Sequence, residues 1–205
     1  MIENKFINIV KLSVISIEVN SFRDYVRYIE NSFQKEIASF EKGLEDVPAG
    51  FEDEYLDYHI DEARQYSTEF PTIMRNSLFV SIYTFLESKI GDLCVPDKKS
   101  LLTLGDIKGQ GIKQASTYLK KVLLVDFPHD TDEWKYIKKA QLLRNCIVHT
   151  NGQVSKVREP KNVEAAIEEL NYVNVDEKGY ISLESEFCLD FLENVYSFLQ
   201  ELYKK

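Results

Sequence analysis

The stretch IMRNSLFVSIYTFLESKIGDL, residues 73–93, is the most apolar helical segment of the 205-residue chain. Its apolar side chains recur every three or four residues, a spacing that places them along one face of an α-helix. That face consists of Met74, Leu78, Ile82, Phe85, Leu86 and Ile90. We therefore expect this helix to lie at the centre of the fold. Pro71 interrupts the preceding helix and can start this one, because a first-turn proline loses no hydrogen bond.

The segments before the central helix also have helical features. Residues 6–19 are rich in Ile and Val, and their partial alternation fits either a strand or the buried start of a helix. Ser21 is a predicted N-cap for a helix that ends near Gly43 and is followed by a turn over residues 47–50. Residues 51–69 are strongly acidic with scattered aromatic side chains, and we expect them to be helical.

The sequence after residue 93 predicts a loop, four more helices and a β-hairpin. The loop covers residues 95–111. Asp130 or Thr131 can cap the second helix, and Asn151-Gly152 stops it. The hairpin has a four-residue turn at 176–179. The helices are predicted over residues 112–124, about 132–149, 163–172 and 185–203, and the strands over 172–175 and 180–183.

These elements predict an all-α helical bundle with a small β-hairpin before the last helix. Residues 1–70 are expected to form an N-terminal helical extension that packs on a domain of residues 71–205, so that the whole chain makes one compact unit. The three cysteines are widely spaced, which is typical of reduced, buried thiols. The apolar N-terminal segment is interrupted by charges and shorter than a membrane span. We therefore expect a soluble, cytoplasmic protein without membrane contact.

The charge of the chain is unevenly distributed. The formal net charge is -9, which argues against non-specific binding of nucleic acid. However, residues 98–161 carry a net charge of +7 between flanks of -9 and -7. Because local potential decides where a polyanion can dock, this basic island could still bind one.

Arg144 and His149 stand near the predicted end of the helix that starts at Asp132. On a helical wheel Arg144 borders the core face, so its charge needs a partner, either a carboxylate such as Glu87 or an anionic ligand. His149 lies roughly 140° round the axis and ~7.5 Å along it. The two side chains can therefore share a site only if the helix ends there and the imidazole turns back. They could then meet on one phosphate, because arginine binds phosphate oxygens and histidine transfers protons near neutral pH.

This pattern resembles the HEPN superfamily, whose marker is Arg-x4-6-His near the end of a core helix, often with a polar residue after the arginine. Arg144, Asn145 and His149 match the x4 form of that marker. The resemblance covers roughly residues 72–203 and is strongest to members from bacterial defence and toxin–antitoxin loci. It implies an HEPN-like helical domain that homodimerises.

The resemblance also implies an activity: a metal-independent endoribonuclease that needs no cofactor and cuts single-stranded RNA in a cleft between two subunits. In such a site Arg144 would stabilise or position the phosphate, and His149 would act as general acid or base. Asn145 would orient one of them or the scissile group, with Tyr83 and Glu87 as supporting residues. An antitoxin or defence protein would be a further partner. Candidate contacts to the RNA backbone are Lys113, Lys120, Lys121, Lys138 and Lys139.

The alternative is a HEPN-like module that binds a partner or a nucleotide without catalysis. Arg144 could also make a purely structural ion pair, and His149 could cap a helix C-terminus, where a cation is favoured. The run from His129 to Glu133 fits a helix cap better than a metal site. His59 is expected to face solvent, and Cys146 to be a packing residue. With three histidines and no paired spacing, a zinc or iron site is not indicated.

Overall fold

The computed structural model describes residues 2–96 and 100–204, with side chains from residue 7 onward. Within these residues the chain forms seven α-helices and one two-stranded antiparallel sheet, which confirms the predicted all-α bundle with a small hairpin. The helices are α1 (Ile2–Glu45), α2 (Glu52–Arg64), α3 (Phe70–Gly91), α4 (Gly111–Lys121), α5 (Asp132–Thr150), α6 (Pro160–Glu168) and α7 (Phe187–Lys204). The strands are β1 (Val173–Val175) and β2 (Ile181–Leu183), and Val173 pairs with Leu183.

The predicted central helix, α3, packs against α5 and α7 in the middle of the bundle. Five of the six side chains in its predicted apolar stripe are buried, and Met74 is half-buried. Phe79 of α3 contacts Phe191 of α7 edge to face, with ring centroids 4.9 Å apart. Such pairs add to the burial of the two large rings. The α3–α7 contact therefore forms the aromatic centre of the core.

The long helix α1 resolves the ambiguity at residues 6–19 and corrects the prediction for Ser21. Residues 6–19 are helical, and Ser21 lies inside α1, where its hydroxyl donates a hydrogen bond to the carbonyl of Ile17 at 3.2 Å. The helix does not start at Ser21 because buried Ile15, Val19 and Val26 form one face that runs through it. Packing of that face on the bundle outweighs a local capping signal. The predicted turn at 47–50 is present.

Pro71 does not interrupt the helical backbone as predicted. The chain stays helical from α2 through a five-residue π-turn, Gln65–Glu69, into α3. The amide of Phe70 bonds to the carbonyl of Gln65, five residues earlier. Pro71 follows in the first turn of α3, and a proline at that position has no amide to leave unpaired. The wider turn thus joins the two helices without a break.

Several helix ends also differ from the prediction. Helix α4 ends at Lys121 rather than at residue 124, since Leu124 adopts a left-handed conformation with φ of 53°. Helix α6 covers Pro160–Glu168 rather than residues 163–172, because Pro160 is well suited to a first helical turn. Thr131 caps α5 through a hydrogen bond that its hydroxyl accepts from the amide of Trp134 at 3.3 Å. This last contact confirms one of the two predicted caps.

The N-terminal region consists of two unlike parts. The first half of α1 packs on α7 and contributes buried residues to the same core as α3. The second part, residues 31–69, contains no buried residue and carries eleven acidic and three basic side chains. We call this second part the acidic arm. The boundary predicted at residue 70 stays a prediction.

No helix among the described residues is long and apolar enough to cross a membrane.

Arg75 fastens the base of the acidic arm to the bundle. Its Nε and Nη2 atoms each donate to a carboxylate oxygen of Glu30 at 2.7 Å, and its Nη1 atom donates to the carbonyl of Leu183 at 3.0 Å. Both charged side chains are largely buried. A bidentate ion pair of this kind fixes the relative orientation of the two side chains as well as the distance between them. It therefore joins α1, α3 and β2 at one point.

Candidate active site at the end of α5

Helix α5 carries the predicted site residues because of how its buried face winds. Ile137, Ala140, Leu143 and Cys146 are buried and lie three residues apart. Three residues fall about 60° short of a full helical turn, so the line of buried residues winds slowly around the helix axis. Arg144, Asn145 and His149 fall outside that face. Asn151 then ends α5 in a left-handed conformation, with its amide bonded to the carbonyl of Cys146.

Arg144 faces α3. Its guanidinium lies over the ring of Tyr83, with 5.4 Å between the guanidinium carbon and the ring centroid. Its Nη2 atom is 3.8 Å from the nearer Glu87 oxygen, a charge contact too long for a hydrogen bond. Its buried Nε atom has no hydrogen-bond partner among the described residues. The two predicted supporting residues therefore adjoin Arg144 but leave part of its donor capacity unused.

Tyr83 is a neutral, apolar platform for the guanidinium. The side chain is fully buried, and its hydroxyl has no partner among the described residues. Burial raises the pKa of Tyr83 well above its ordinary value, with the carboxylate of Glu87 acting in the same direction and Arg144 against it. Its ring face attracts a cation through its quadrupole. Tyr83 thus positions Arg144 without accepting a hydrogen bond from it.

Glu87 is pressed against the start of α4. Gly111, the first residue of that helix, has φ of 57°, and a Cβ atom there would lie 2.5 Å from Glu87 Oε1. Glycine is therefore favoured at this position both by its conformation and by the space that a side chain would take from Glu87. The amide end of a helix also favours a nearby negative charge. The carboxylate of Glu87 is in this way shared between Arg144 and the first turn of α4.

Asn145 contacts Arg144 and lines the same groove as His149. Its side-chain oxygen accepts a hydrogen bond from Arg144 Nη1 at 3.2 Å. Asn145 and His149 are four residues apart on α5 and therefore lie on one side of it. Both line a groove of about 370 Å³ between the end of α5 and the segment that leads into α6. His149 is exposed, and no hydrogen bond or ion pair involves it within the described part of the chain.

The structure therefore does not bring Arg144 and His149 together directly. Helix α5 continues through Thr150, so His149 belongs to its last turn and lines the groove beside α6. Arg144 faces α3 on the other side of Asn145. The helix ends at the predicted stop, and no contact between the imidazole and the guanidinium occurs among the described residues.

The groove also contains two basic side chains that were not among the predicted site residues. Lys156 and Arg158 line it opposite His149. They follow the helix stop at Asn151-Gly152 by a few residues, and the sequence placed them only in the general basic island. A cluster of basic residues just after the stop was the signal that could have identified them. The carboxylate of Glu159 also lines the groove, and the two cations beside the histidine are groups that can attract a phosphate.

The five predicted RNA-contact lysines do not line this groove. Lys113, Lys120 and Lys121 are exposed on α4, and Lys138 is exposed on α5. Lys138 lies seven residues before Asn145 and so on the same side of the helix. Lys139 pairs with Glu169 near the end of α6. These side chains spread over two helices rather than forming one cluster.

Cys146 and the other two histidines have surroundings that indicate structural rather than catalytic roles. Cys146 is buried, and burial raises the pKa of its thiol, which disfavours the nucleophilic thiolate. His129 contacts Asp130 at 3.1 Å beside the cap of α5. His59 does not simply face solvent as expected, because its ring packs against Tyr55 with centroids 4.4 Å apart. Across residues 2–96 and 100–204, no group of three or more His, Cys, Asp or Glu side chains could hold a metal ion.

Comparisons with known proteins add no family assignment. The chain matches no protein-family model, no characterised protein and no solved structure.

Proposed function

We propose that this chain is a metal-independent endoribonuclease of HEPN type that works as a homodimer. The observation that supports it most is the presence of Arg144, Asn145 and His149 in the last turns of one helix, with Arg144 toward α3 and His149 toward the groove beside α6. The guanidinium is bonded to the amide oxygen, and the exposed imidazole lies beside Lys156 and Arg158. These groups supply what cleavage of RNA requires: a proton carrier and cations for the phosphate.

The chemistry follows from the substrate, because RNA carries its own nucleophile. The 2′-oxygen attacks the adjacent phosphorus, and the bond from phosphorus to the 5′-oxygen breaks. One base takes the 2′-hydroxyl proton, and one acid gives a proton to the departing 5′-oxygen. The products are a 2′,3′-cyclic phosphate and a 5′-hydroxyl. Arg144 would stabilise the charge that develops on the phosphate oxygens, and Asn145 would hold the guanidinium in place.

A second subunit would supply the group that one chain lacks. A single imidazole cannot act as base and acid in the same step, whereas a two-fold dimer places two copies of each residue across one cleft. Val148, between Arg144 and His149 in sequence, is 46% exposed. An apolar side chain in that position suits a surface that a second copy covers.

The direct test is cleavage of single-stranded RNA by the purified protein in the presence of a chelator. We expect cleavage to persist with chelator and to fall at least roughly a hundredfold in His149→Ala, because a general acid–base group contributes at least that factor. The matched control is His129→Ala, which removes another exposed histidine at the opposite end of α5. Loss of cleavage in both variants, or in neither, would contradict the proposal.

The dimer has its own test. Val148→Asp should yield monomers in light scattering and lose cleavage, since it places a charge in the proposed interface. Val14→Asp is the matched control, because Val14 of α1 is 48% exposed and distant in sequence from the site. A monomeric wild type that still cleaves RNA would refute the dimeric site while leaving the activity intact.

The biological role is proposed on the resemblance alone: a toxin or antiviral-defence effector, restrained by an antitoxin or another defence protein. Expression in a bacterial host should arrest growth, and His149→Ala should relieve the arrest. If a well-folded dimer binds RNA or a nucleotide without cutting it, the non-catalytic HEPN-like module is the better description.

A further inference from the structure

The acidic arm contains a cavity of about 390 Å³ between the end of α1 and α2. It lies far along the chain from Arg144 and His149, and none of the proposed site residues lines it. Its lining includes rings and carboxylates, together with smaller apolar and hydroxyl side chains. The rings are Phe40, Tyr55, His59 and Tyr66, and the carboxylates are Glu36, Glu41 and Glu62.

Three of the rings are held in place by their mutual contacts. The rings of Tyr55 and His59 have centroids 4.4 Å apart, and Phe40 is 5.6 Å from Tyr55 and 6.1 Å from His59. The hydroxyl of Tyr55 donates to the carbonyl of Phe40 at 3.3 Å. His59 Nδ1 is 3.0 Å from a carboxylate oxygen of Glu62. The aromatic wall is therefore pre-formed rather than assembled by a ligand.

These rings do not close a hydrophobic core. No residue of α2 is buried, and Phe40, Tyr55 and His59 are each only half-buried. Each ring thus keeps part of its surface toward the cavity. An aromatic face carries partial negative charge, and it attracts a cation placed over it within about 6 Å. Carboxylates at the same cavity add full negative charges.

The surrounding charge decides which ligands fit. The arm carries a net charge of -8 from its eleven acidic and three basic residues, which repels anions. A neutral apolar ligand would gain nothing from the three carboxylates. A bare metal ion would need several oxygen or nitrogen ligands at one point, and no such group of ligands occurs among the described side chains. An organic cation satisfies both the rings and the carboxylates.

We propose that this cavity binds a free organic cation with an alkylammonium or quaternary ammonium head group. The apolar part of the head group lies against Tyr55 and Phe40, and its charge is balanced by Glu62 and the neighbouring carboxylates. The site is independent of the proposed ribonuclease activity, and either can be wrong without affecting the other.

The test uses choline as the probe and the full-length protein in isothermal titration calorimetry. The control ligand is 3,3-dimethylbutan-1-ol, which has the same shape without the charge. We expect saturable binding of one choline per chain, at least about tenfold tighter than the neutral alcohol, as cation–π and carboxylate contacts predict. Absence of saturable choline binding, or equal binding of the alcohol, overturns the proposal.

Two pairs of variants locate the site. Tyr55→Leu should weaken choline binding by about tenfold, while Tyr28→Leu, an exposed ring of α1 outside the cavity, should leave it unchanged. Glu62→Gln should weaken binding several-fold, while the adjacent Asp61→Asn removes the same charge outside the cavity. Circular dichroism establishes that each variant is folded. Equal losses in Glu62→Gln and Asp61→Asn would show that choline responds only to the general charge of the arm, and equal losses in the two tyrosine variants would show that it does not bind in the cavity.

Discussion

The end of α5 and the acidic arm both concentrate charged and aromatic side chains, but only α5 rests on a core. Ile137 and Leu143 of α5 are fully buried, whereas no residue of the arm is buried. Side chains next to a close-packed core are restricted to few rotamers, and those in the arm depend on contacts with their immediate neighbours. At the end of α5 this restriction applies to Arg144 and Asn145, whereas His149 is exposed and has no hydrogen bond or ion pair among the described residues. Attraction of a cation tolerates the looser packing of the arm.

The largest expected difference between the two regions is in stability. Phe191→Ala, in the core, should lower the free energy of unfolding by about 3–5 kcal/mol, the usual cost of removing a fully buried ring. Phe40→Ala, in the arm, should lower it by only about 1 kcal/mol, because its ring is half-buried. Urea denaturation of both variants measures the difference. Similar losses would show that the arm is packed as closely as the bundle.

The junction between the regions gives the next effect. Glu30→Ala leaves the largely buried guanidinium of Arg75 with the carbonyl of Leu183 as its one hydrogen-bond acceptor among the described residues. We expect a loss of about 2–3 kcal/mol, because a partly buried cation without its carboxylate is costly. Glu36→Ala, an exposed carboxylate of the arm, should change stability by less than about 0.5 kcal/mol. Wild-type stability of Glu30→Ala would mean that the pair does not fasten the arm.

Much of the bundle could be predicted from local patterns. The apolar stripe of α3, the cap at Thr131, the stop at Asn151 and the hairpin turn all depend on residues close together in sequence. The start of α1 could not be predicted in this way. Ser21 has a side chain typical of a helix N-cap, and only the packing of α1 against α7 shows that the helix runs through it. The π-helical turn before Pro71 was not predictable either. It forms because α2 continues into α3 without a break, and Pro71 by itself indicates an interruption.

The sequence indicates which residues belong to the candidate site, but it does not indicate how they are arranged in space. The motif identified Arg144, Asn145 and His149, and the need for a carboxylate near Arg144 indicated Glu87, which is 3.8 Å away. That Arg144 faces α3 and His149 faces the groove beside α6 depends on how these two helices pack against α5. For the same reason the sequence does not distinguish Lys156 and Arg158, which tertiary structure brings to the groove, from the other basic residues of the island.

A smaller effect tests how closely Arg144's surroundings are packed. Gly111→Ala should lower the free energy of unfolding by about 1–2 kcal/mol through its positive φ, plus a further cost of displacing Glu87. Gly179→Ala is the matched control, since its φ is 82° and nothing lies within 4 Å of its Cβ position. The excess loss at Gly111 should disappear in a Glu87→Ala background. If the excess persists there, the carboxylate is not what fills the space.

The smallest expected effect is a loss of stability of the core at alkaline pH, caused by the thiol of Cys188. The arm contains no cysteine and therefore has no counterpart to this effect. Burial, aided by the carboxylate of Glu30, raises the pKa of Cys188 from 9.0 to about 12. A thiol with a raised pKa contributes stability that is complete below pH 9 and is lost as the pH rises toward 12, because the unfolded chain releases its proton first. At pH 10 this loss should be about 1.4 kcal/mol.

Denaturation at pH 8 and pH 10 measures that loss in the wild type and in Cys188→Ala. The variant should be less stable at both pH values, because it leaves a cavity beside Arg75, but its stability should decline less between them. Titration of the other thiols and of the tyrosines is common to both proteins and cancels in the comparison. Parallel declines would show that Cys188 does not stay protonated in the folded state, and that the packing around α7 admits water more readily than its burial indicates.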